Sequence, residues 1–243
     1  MVDVFHASDT LGTVVTKFPN AATIFQGFGI DFCCGGARTL EEAVSEKELS
    51  LEGFMITLND AWSEQLNQDL QITDWAKASL TELVDHILQH HHAYLHQNLP
   101  EIGELTTKIL RVHGANHGDV LSRLHRQFHF FKMEMEEHLI KEETIVFPLI
   151  KQYEETHSTN LLEEANQAIE NLEKEHEQAG ALLKAMREIT NDYELPADAC
   201  RTYTRTFQLL EEMESDTFLH VHLENNIVFP RLQKLATAVN AIK

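Results

Sequence analysis

The sequence predicts an all-α protein, an up-down-up-down four-helix bundle preceded by a small helical N-terminal domain. Only 10 glycines and 5 prolines interrupt the 243 residues, and long stretches rich in Leu, Glu, Ala and Lys favour helix. Four long amphipathic segments are joined by short polar breaks, which favour antiparallel neighbouring helices. One motif occurs on both the second and the fourth segment, as expected for two helical hairpins of similar design.

The N-terminal domain is predicted to span residues 1–72 and to consist of short helices. Asp9 or Thr10 opens the first helix, Pro19 and Asn20 interrupt it, and AATIFQGFG continues it as far as the loop DFCCGGA. Thr39 and Glu42 have the spacing of a capping box, so another helix starts there. A further helix is predicted through LEGFMITLNDAWSEQL, and NQDLQITDWAK is the predicted linker.

The bundle domain is predicted to span residues 78–238. Ser79 and Glu82 form a second capping box at its start, and Pro196 suits the first turn of its last helix. The breaks are VHGANHG, THSTN and NDYELPAD. The four helices are predicted at 79–112, 117–155, 160–190 and 197–237.

The composition excludes several classes of partner. Asp and Glu outnumber Lys and Arg by 39 to 19, which gives a net charge of −20 that repels nucleic acid and anionic membranes. No apolar run approaches the ~18–20 residues that span a bilayer, and MVDVFHASDT lacks the features of a secretory signal. Three cysteines do not make a disulfide framework, so we expect a cytoplasmic protein.

The repeated motif is His-x-x-x-Glu-x-x-Ile-Val-Phe-Pro, which begins at His138 and again at His220. Residues four apart share a helix face, so His138 projects with Glu142 and His220 with Glu224. Burying a bare carboxylate is costly, so a cation is expected to meet both glutamates. Each proline is expected to bend or end its helix. On helical wheels the two pairs lie among apolar neighbours, namely Phe131, Met135, Ile145 and Leu149, and Leu209, Met213, Leu223 and Ile227.

The other two bundle helices each offer an inward histidine. His176 lies in the middle of an apolar stripe on the third helix. The first helix carries HHH, in which His90 falls on the polar side. Periodicity places His91 nearer the middle of the apolar stripe and His92 at its edge, and it leaves the choice between them open. The remaining histidines are interpreted as structural, namely His86, His96, His113, His117, His125, His129, His157 and His222.

Four neutral imidazoles and two carboxylates form a donor set that suits iron, with zinc and manganese as competitors, and does not suit Cu(I). The set is too large for one tetrahedral zinc. It fits two metal ions bridged by the two glutamates, with open positions for an oxo, a hydroxo or a small diatomic ligand.

Other polar residues near this set have alternative interpretations. Glu134 and Glu175 either support the metal ligands from outside or line a proton path, or they are ordinary solvated glutamates. Cys33 and Cys34 are adjacent, so a disulfide between them would be strained, labile and redox-responsive rather than structural. The alternative is two small residues at a turn. Cys200 is expected to serve packing.

The quoted motifs together resemble the repair-of-iron-centres family, which consists of ScdA-type, hemerythrin-like di-iron proteins. The resemblance covers nearly the whole chain, through GFGIDFCCGGARTLEEA, HHHAYLHQNLPEI, HLIKEETIVFP, EKEHEQAG and HLENNIVFPRL. The fixed interval between the first ligand and the Leu-Pro pair selects His92 over His91. The resemblance thus implies two non-haem iron ions, carboxylate-bridged, at His92, His138, Glu142, His176, His220 and Glu224.

The resemblance also implies a function. It is that of a cytoplasmic stress protein that helps repair iron–sulfur clusters damaged by nitric oxide or peroxide, by iron donation or by nitric oxide handling at the di-iron site. Damaged iron–sulfur proteins would be its clients, and a homodimer is compatible with it. The family carries the double cysteine, so the resemblance also implies redox chemistry or iron hand-off at Cys33 and Cys34. The alternatives are a hemerythrin-like protein that binds or senses oxygen or nitric oxide, and a nitric oxide reductase.

Overall fold

The computed structural model describes residues 4–67 and 73–240. Residues 68–72 of the predicted linker lie outside the described part of the chain. Within it the all-α prediction is confirmed, since every regular element is helical. The α-helices are α1 Leu11–Lys17, α2 Ala21–Gly27, α3 Leu40–Glu46, α4 Leu51–Asn67, α5 Leu80–Ile87, α6 Ala93–Lys141, α7 Phe147–Thr156, α8 Thr159–Ile189, α9 Arg201–Leu223 and α10 Phe229–Asn240. Within the described residues, three π-helical segments each connect two consecutive α-helices: π1 Leu88–His92 connects α5 to α6, π2 Glu142–Val146 connects α6 to α7, and π3 Glu224–Val228 connects α9 to α10.

The chain divides into two compact units. One comprises Met1–Leu83 with Phe218–Lys243, and the other comprises Val84–Thr217. The predicted functional division at 72 and 78 stays a prediction. No helix in residues 4–67 and 73–240 combines the length and the apolar character that a bilayer-spanning helix needs.

The Val84–Thr217 unit is an antiparallel four-helix arrangement. Thr107 on the first helix contacts His125 on the second, and Arg187 on the third contacts Glu214 on the fourth. The first helix contacts the last near both ends of the bundle, through the pairs His91–Asp216 and His113–Cys200. The predicted break at 112–118 shrinks to one non-helical residue, His117 (φ −125°, ψ 21°), because the glycines on either side keep helical backbone. The last helix starts at Arg201 rather than 197, because Pro196 lies in a turn.

The unit of Met1–Leu83 and Phe218–Lys243 has its own apolar core. The aromatic side chains of Phe18, Phe25 and Phe32 are buried among the short helices, and Val221 belongs to the same core. The capping box at Thr39 is present, with Thr39 Oγ1 accepting from Glu42 N–H and the carboxylate of Glu42 accepting from Thr39 N–H. This capping box fixes the start of α3, which follows the loop that carries the paired cysteines.

Both copies of the repeated motif change helix type at the glutamate. π2 starts at Glu142 and π3 starts at Glu224, and the proline of each copy follows within the next α-helix. The prediction that the proline bends or ends the helix is wrong in its second part, since α7 and α10 continue for 10 and 12 residues. A π turn bonds i to i+5 and is wider, so the chain accommodates a residue without a donor N–H there.

Candidate metal centre

Three of the predicted ligands meet inside the Val84–Thr217 unit. The ligand atoms of His138, Glu142 and His176 lie within 4.8 Å of one another. Nε2 of His138 is 3.3 Å from Oε2 of Glu142 and 3.2 Å from Nε2 of His176. The three residues are 3%, 0% and 1% exposed, so this cluster is shielded from water.

His92 joins the same carboxylate. Its Nε2 lies 3.2 Å from Oε2 of Glu142, and the residue is buried. His91 is buried as well, but its Nδ1 lies 2.9 Å from Oδ1 of Asp216. The wheel favoured His91 because it assumed an unbroken α-helix. π1 adds one residue to the turn that ends at His92, so the inward position moves from residue 91 to residue 92.

The last two predicted ligands lie in the other unit. His220, near the end of α9, and Glu224, the first residue of π3, are both 0% exposed. Nε2 of His220 lies 3.0 Å from Oε1 of Glu224. This copy of the motif therefore has the same histidine–glutamate pairing across one turn as the first copy.

Glu175 supports His138 from outside the cluster. Nδ1 of His138 lies 3.0 Å from Oε2 of Glu175, and Nζ of Lys141 donates to Oε1 at 2.8 Å. These hydrogen bonds, that of His138 first, lower the pKa of Glu175 to about 2 despite partial burial. An ionised carboxylate only accepts, so His138 donates from Nδ1 and presents an Nε2 lone pair to the cluster. Glu134, the other predicted supporting residue, shares with Glu175 and Lys141 the lining of a cavity of about 440 Å³.

Sequence reasoning missed Glu143, which supports His92 in the same way. Its Oε1 lies 2.9 Å from Nδ1 of His92 and 2.7 Å from Nε2 of His96. His96, interpreted above as structural, thus belongs to the surroundings of the cluster. The available signal was the repeat itself, since the first copy has Glu143 where the second has Asn225.

The paired cysteines form a second group of potential ligands. Cys33 is buried, Cys34 is half-buried, and both thiols are free, with 3.9 Å between the two Sγ atoms. Oδ1 of Asp31 accepts from the backbone N–H groups of both cysteines, at 3.0 and 3.1 Å. A hydrogen bond to Cys34 and burial raise the pKa of Cys33 well above its ordinary value. Asp31 was not singled out from the sequence.

Asn226 fastens this loop to π3. Its Nδ2 donates to the carbonyl oxygen of Cys33 at 2.9 Å, and its carboxamide fills the space beside Gly12 and Gly36. A Cβ atom on Gly36 would overlap that carboxamide. The loop therefore requires glycine there for close approach rather than for an unusual φ.

We expect Gly36→Ala to lower the free energy of unfolding by about 1–3 kcal/mol, because the added methyl group displaces Asn226. Gly53→Ala is the matched control. Gly53 lies in α4, and a Cβ there meets only ordinary contacts with Ser50, so stability should rise by about 0.5–1 kcal/mol. Denaturant unfolding of the two variants measures both changes, and equal effects would contradict the role given to Gly36.

Cys200 does not serve packing, contrary to the sequence prediction. It is exposed, and its Sγ lies 3.2 Å from Nε2 of His113. It directly precedes α9, and hydrogen bonds, first from His113 and then from the backbone N–H of Tyr203, lower its pKa to about 7. A helix start and an adjacent imidazole both favour the thiolate.

Alkylation should therefore discriminate among the three cysteines. We expect Cys200 to react first with iodoacetamide, with a rate that rises through a midpoint near pH 7, because only the thiolate attacks. Cys33, whose pKa is raised, should react last. In His113→Gln the midpoint should move up towards the ordinary thiol value. Peptide mass spectrometry over a pH series reads each site, and an unshifted midpoint would count against the thiol–imidazole pair.

Comparison with known proteins agrees with this arrangement. The model of the hemerythrin HHE cation binding domain matches residues 55–232, and that of ScdA_N, a domain of unknown function, matches residues 7–62. An iron-sulfur cluster repair protein YtfE from Citrobacter koseri is 35% identical over 221 residues, which are 91% of this chain and 94% of the relative. A protein of the same name from Escherichia coli O157:H7 is 34% identical over 226 residues, 93% of this chain and 97% of the relative. The chain belongs to the ScdA-type, hemerythrin-like family that includes these proteins.

Proposed function

We propose that the buried histidines and glutamates hold two non-haem iron ions, with both glutamates as bridges. The observation that carries this proposal is the complete burial of Glu142 and Glu224, each 0% exposed, on helices that also carry a buried histidine one turn before. Buried carboxylates require compensating positive charge, and imidazole with carboxylate suits iron. The cation-binding family supports it further. The six proposed ligands are His92, His138, Glu142, His176, His220 and Glu224.

The surrounding carboxylates are proposed to orient the histidines. Glu175 and Glu143 each accept from the Nδ1 of a proposed ligand, which fixes its tautomer and directs Nε2 at the metal. Glu134 is proposed to conduct protons through the cavity that it lines with Glu175. Lys141 holds Glu175 in place and keeps it ionised.

The function that this centre supports best is repair of iron–sulfur clusters damaged by oxidative or nitrosative stress. Proteins that match over nine-tenths of this chain carry the name iron-sulfur cluster repair protein. The bound metal would supply a store of exchangeable iron with open coordination positions. Cys33 and Cys34 are proposed to receive iron or electrons on the way to a client, since thiolates bind iron strongly.

The clients are proposed to be damaged iron–sulfur proteins, and the location to be the cytoplasm. Free thiols at all three cysteines fit a reducing compartment. The net charge of −20 makes nucleic acid and anionic membranes unfavourable partners. A homodimer stays a prediction.

The test is recovery of a purified iron–sulfur dehydratase after exposure to nitric oxide. Under anaerobic conditions with a thiol reductant, the iron-loaded protein should restore activity, and Glu224→Gln should not. The solvent-facing Glu137→Gln, with a side chain 66% exposed, should behave like the original protein. Absence of bound iron, or equal recovery with and without the protein, would refute the proposal.

The same preparation separates the alternatives. Stable, reversible oxygenation seen by optical spectroscopy would indicate an oxygen carrier. Steady production of nitrous oxide with an electron donor would indicate a reductase. Either result without cluster recovery would replace repair as the assigned function.

A further inference from the structure

We propose that Asp31, Cys33 and Cys34 form a separate site for one thiophilic divalent cation, of which Fe²⁺ is the member relevant to repair. One ligand atom from each residue lies within 4.8 Å of the other two. Sγ of Cys33 is 3.9 Å from Sγ of Cys34 and 3.3 Å from Oδ1 of Asp31. These separations are those of ligands around a single ion, and two thiolates with a carboxylate suit Fe²⁺, Zn²⁺ or Co²⁺.

The loop is arranged before any cation arrives. Asp31 holds both cysteine N–H groups with one oxygen, which places the two thiols on the same side as its carboxylate. Arg38 closes the loop from the opposite end, by donating to the carbonyl oxygens of Asp31 at 2.8 Å and of Gly35 at 3.3 Å. Little ordering of the backbone is therefore left for the cation to cause.

Charge balance favours a divalent ion. With both thiols deprotonated, three negative groups would lie within 4.8 Å, which is unfavourable unless a cation is present. Binding would release two thiol protons to solvent and would leave the oxidation state of the metal and of both sulfurs unchanged. A disulfide would need the two sulfurs to approach from 3.9 Å to about 2.05 Å, and it would remove both ligands.

The divergence of the repeated motif places this site next to a proposed iron ligand. After Glu142 the first copy has Glu143 and Thr144, whereas after Glu224 the second copy has Asn225 and Asn226.

In the second copy Nδ2 of Asn225 lies 3.9 Å from Sγ of Cys34, and Asn226 holds the carbonyl oxygen of Cys33. The neutral amide of Asn225 therefore lies beside the thiol of Cys34, at the position where the first copy has the carboxylate of Glu143, and it adds no further negative charge there. The loop is thus fastened one and two residues beyond Glu224. This inference deepens the proposed hand-off of iron by naming Asp31 as the third ligand and π3 as the point of transfer.

The test uses Co²⁺ alone as the probe, under anaerobic conditions, on the full chain with its bundle already loaded with iron. The background carries Cys200→Ser, which removes the exposed thiol. We expect a thiolate-to-cobalt absorption band that saturates at one equivalent. Asp31→Asn keeps the oxygen that accepts from the cysteine N–H groups but loses the charge, and it should weaken binding more than about tenfold. Cys34→Ser, at a half-buried position, should abolish the band.

Three results would overturn the site. They are absence of the band in the Cys200→Ser protein, full affinity in Asp31→Asn, and a band that survives Cys34→Ser. Iron content and circular dichroism of each variant show that the bundle is loaded and folded, so loss of the band cannot come from unfolding. No client or damaged cluster is present, so cobalt binding can succeed while the repair assay fails, and the reverse.

Discussion

Replacing Glu142 by glutamine is expected to remove the metal pair. The carboxylate is completely buried, and Nε2 atoms of two proposed ligands lie 3.2 and 3.3 Å from the same oxygen. A neutral amide cannot bridge two cations, so iron affinity should fall more than about 100-fold, beyond the 10–100-fold effect of losing a supporting group. Iron analysis and Mössbauer spectroscopy should show loss of bound iron and of metal–metal coupling. Glu224→Gln should behave alike.

Neighbouring glutamates provide graded controls. Glu143→Gln removes the acceptor for Nδ1 of His92, so we expect a loss of about 10–100-fold in iron affinity with the metal pair still formed. Glu137→Gln should leave iron content unchanged, since its side chain faces solvent. If Glu142→Gln retained the normal iron content and the metal–metal coupling, Glu142 would be excluded as a bridge.

The second large effect separates two adjacent histidines. We expect His92→Asn to lose iron, because its Nε2 faces Glu142. His91→Asn should keep iron but lose about 1–3 kcal/mol of stability, since it leaves Oδ1 of the largely buried Asp216 without its imidazole partner. Iron content and denaturant unfolding of both variants measure the two outcomes.

The opposite pattern, with iron lost from His91→Asn and kept in His92→Asn, would assign the ligand to position 91. Equal loss of iron in both variants would point to collapse of π1 instead. Far-ultraviolet circular dichroism detects that case. His90→Asn, at an exposed position of the same segment, is the matched control and should change neither property.

The buried face of each helix was predicted correctly where the helix is a regular α-helix and incorrectly where a π turn interrupts it. α8 is unbroken, and the wheel placed the stripe around His176 as observed, with Ile169, Leu172 and Leu183 all buried. On the second bundle helix the wheel was accurate through Phe131 and Met135 but failed beyond Glu142. Ile145 is 51% exposed and the next residue, Val146, is buried instead; likewise Ile150 is buried, whereas the predicted Leu149 is only half-buried. π2 starts at Glu142 and adds one residue to this turn, which composition and spacing do not reveal.

The surroundings of the site were less predictable than its proposed ligands. Glu143 and Asn226 act through hydrogen bonds to residues 51 and 193 positions away, and Asp31 acts through hydrogen bonds to the backbone two and three residues on. A helical wheel registers burial and periodicity, and it carries no information about which polar group on one helix reaches another. Comparison of the two motif copies was the most informative sequence signal for these surroundings. The copies differ at Glu143 and Asn225, and these two residues have different hydrogen-bond partners.

Each of the three π turns holds one residue more than an α-helix would need for the same rotation, so the position of a deletion matters as well as residue identity. Deleting one residue from π2 after Glu142 would restore an ordinary α-helix and would leave Phe147 and Ile150 facing the core. The same deletion within the unbroken α8 would rotate every residue beyond it by about 100° and would turn Leu183 and Met186 away from the core. Single-residue deletions should therefore be tolerated better within the π turns than within α8, and an alignment gap at a π turn would mark a relative with the same interior.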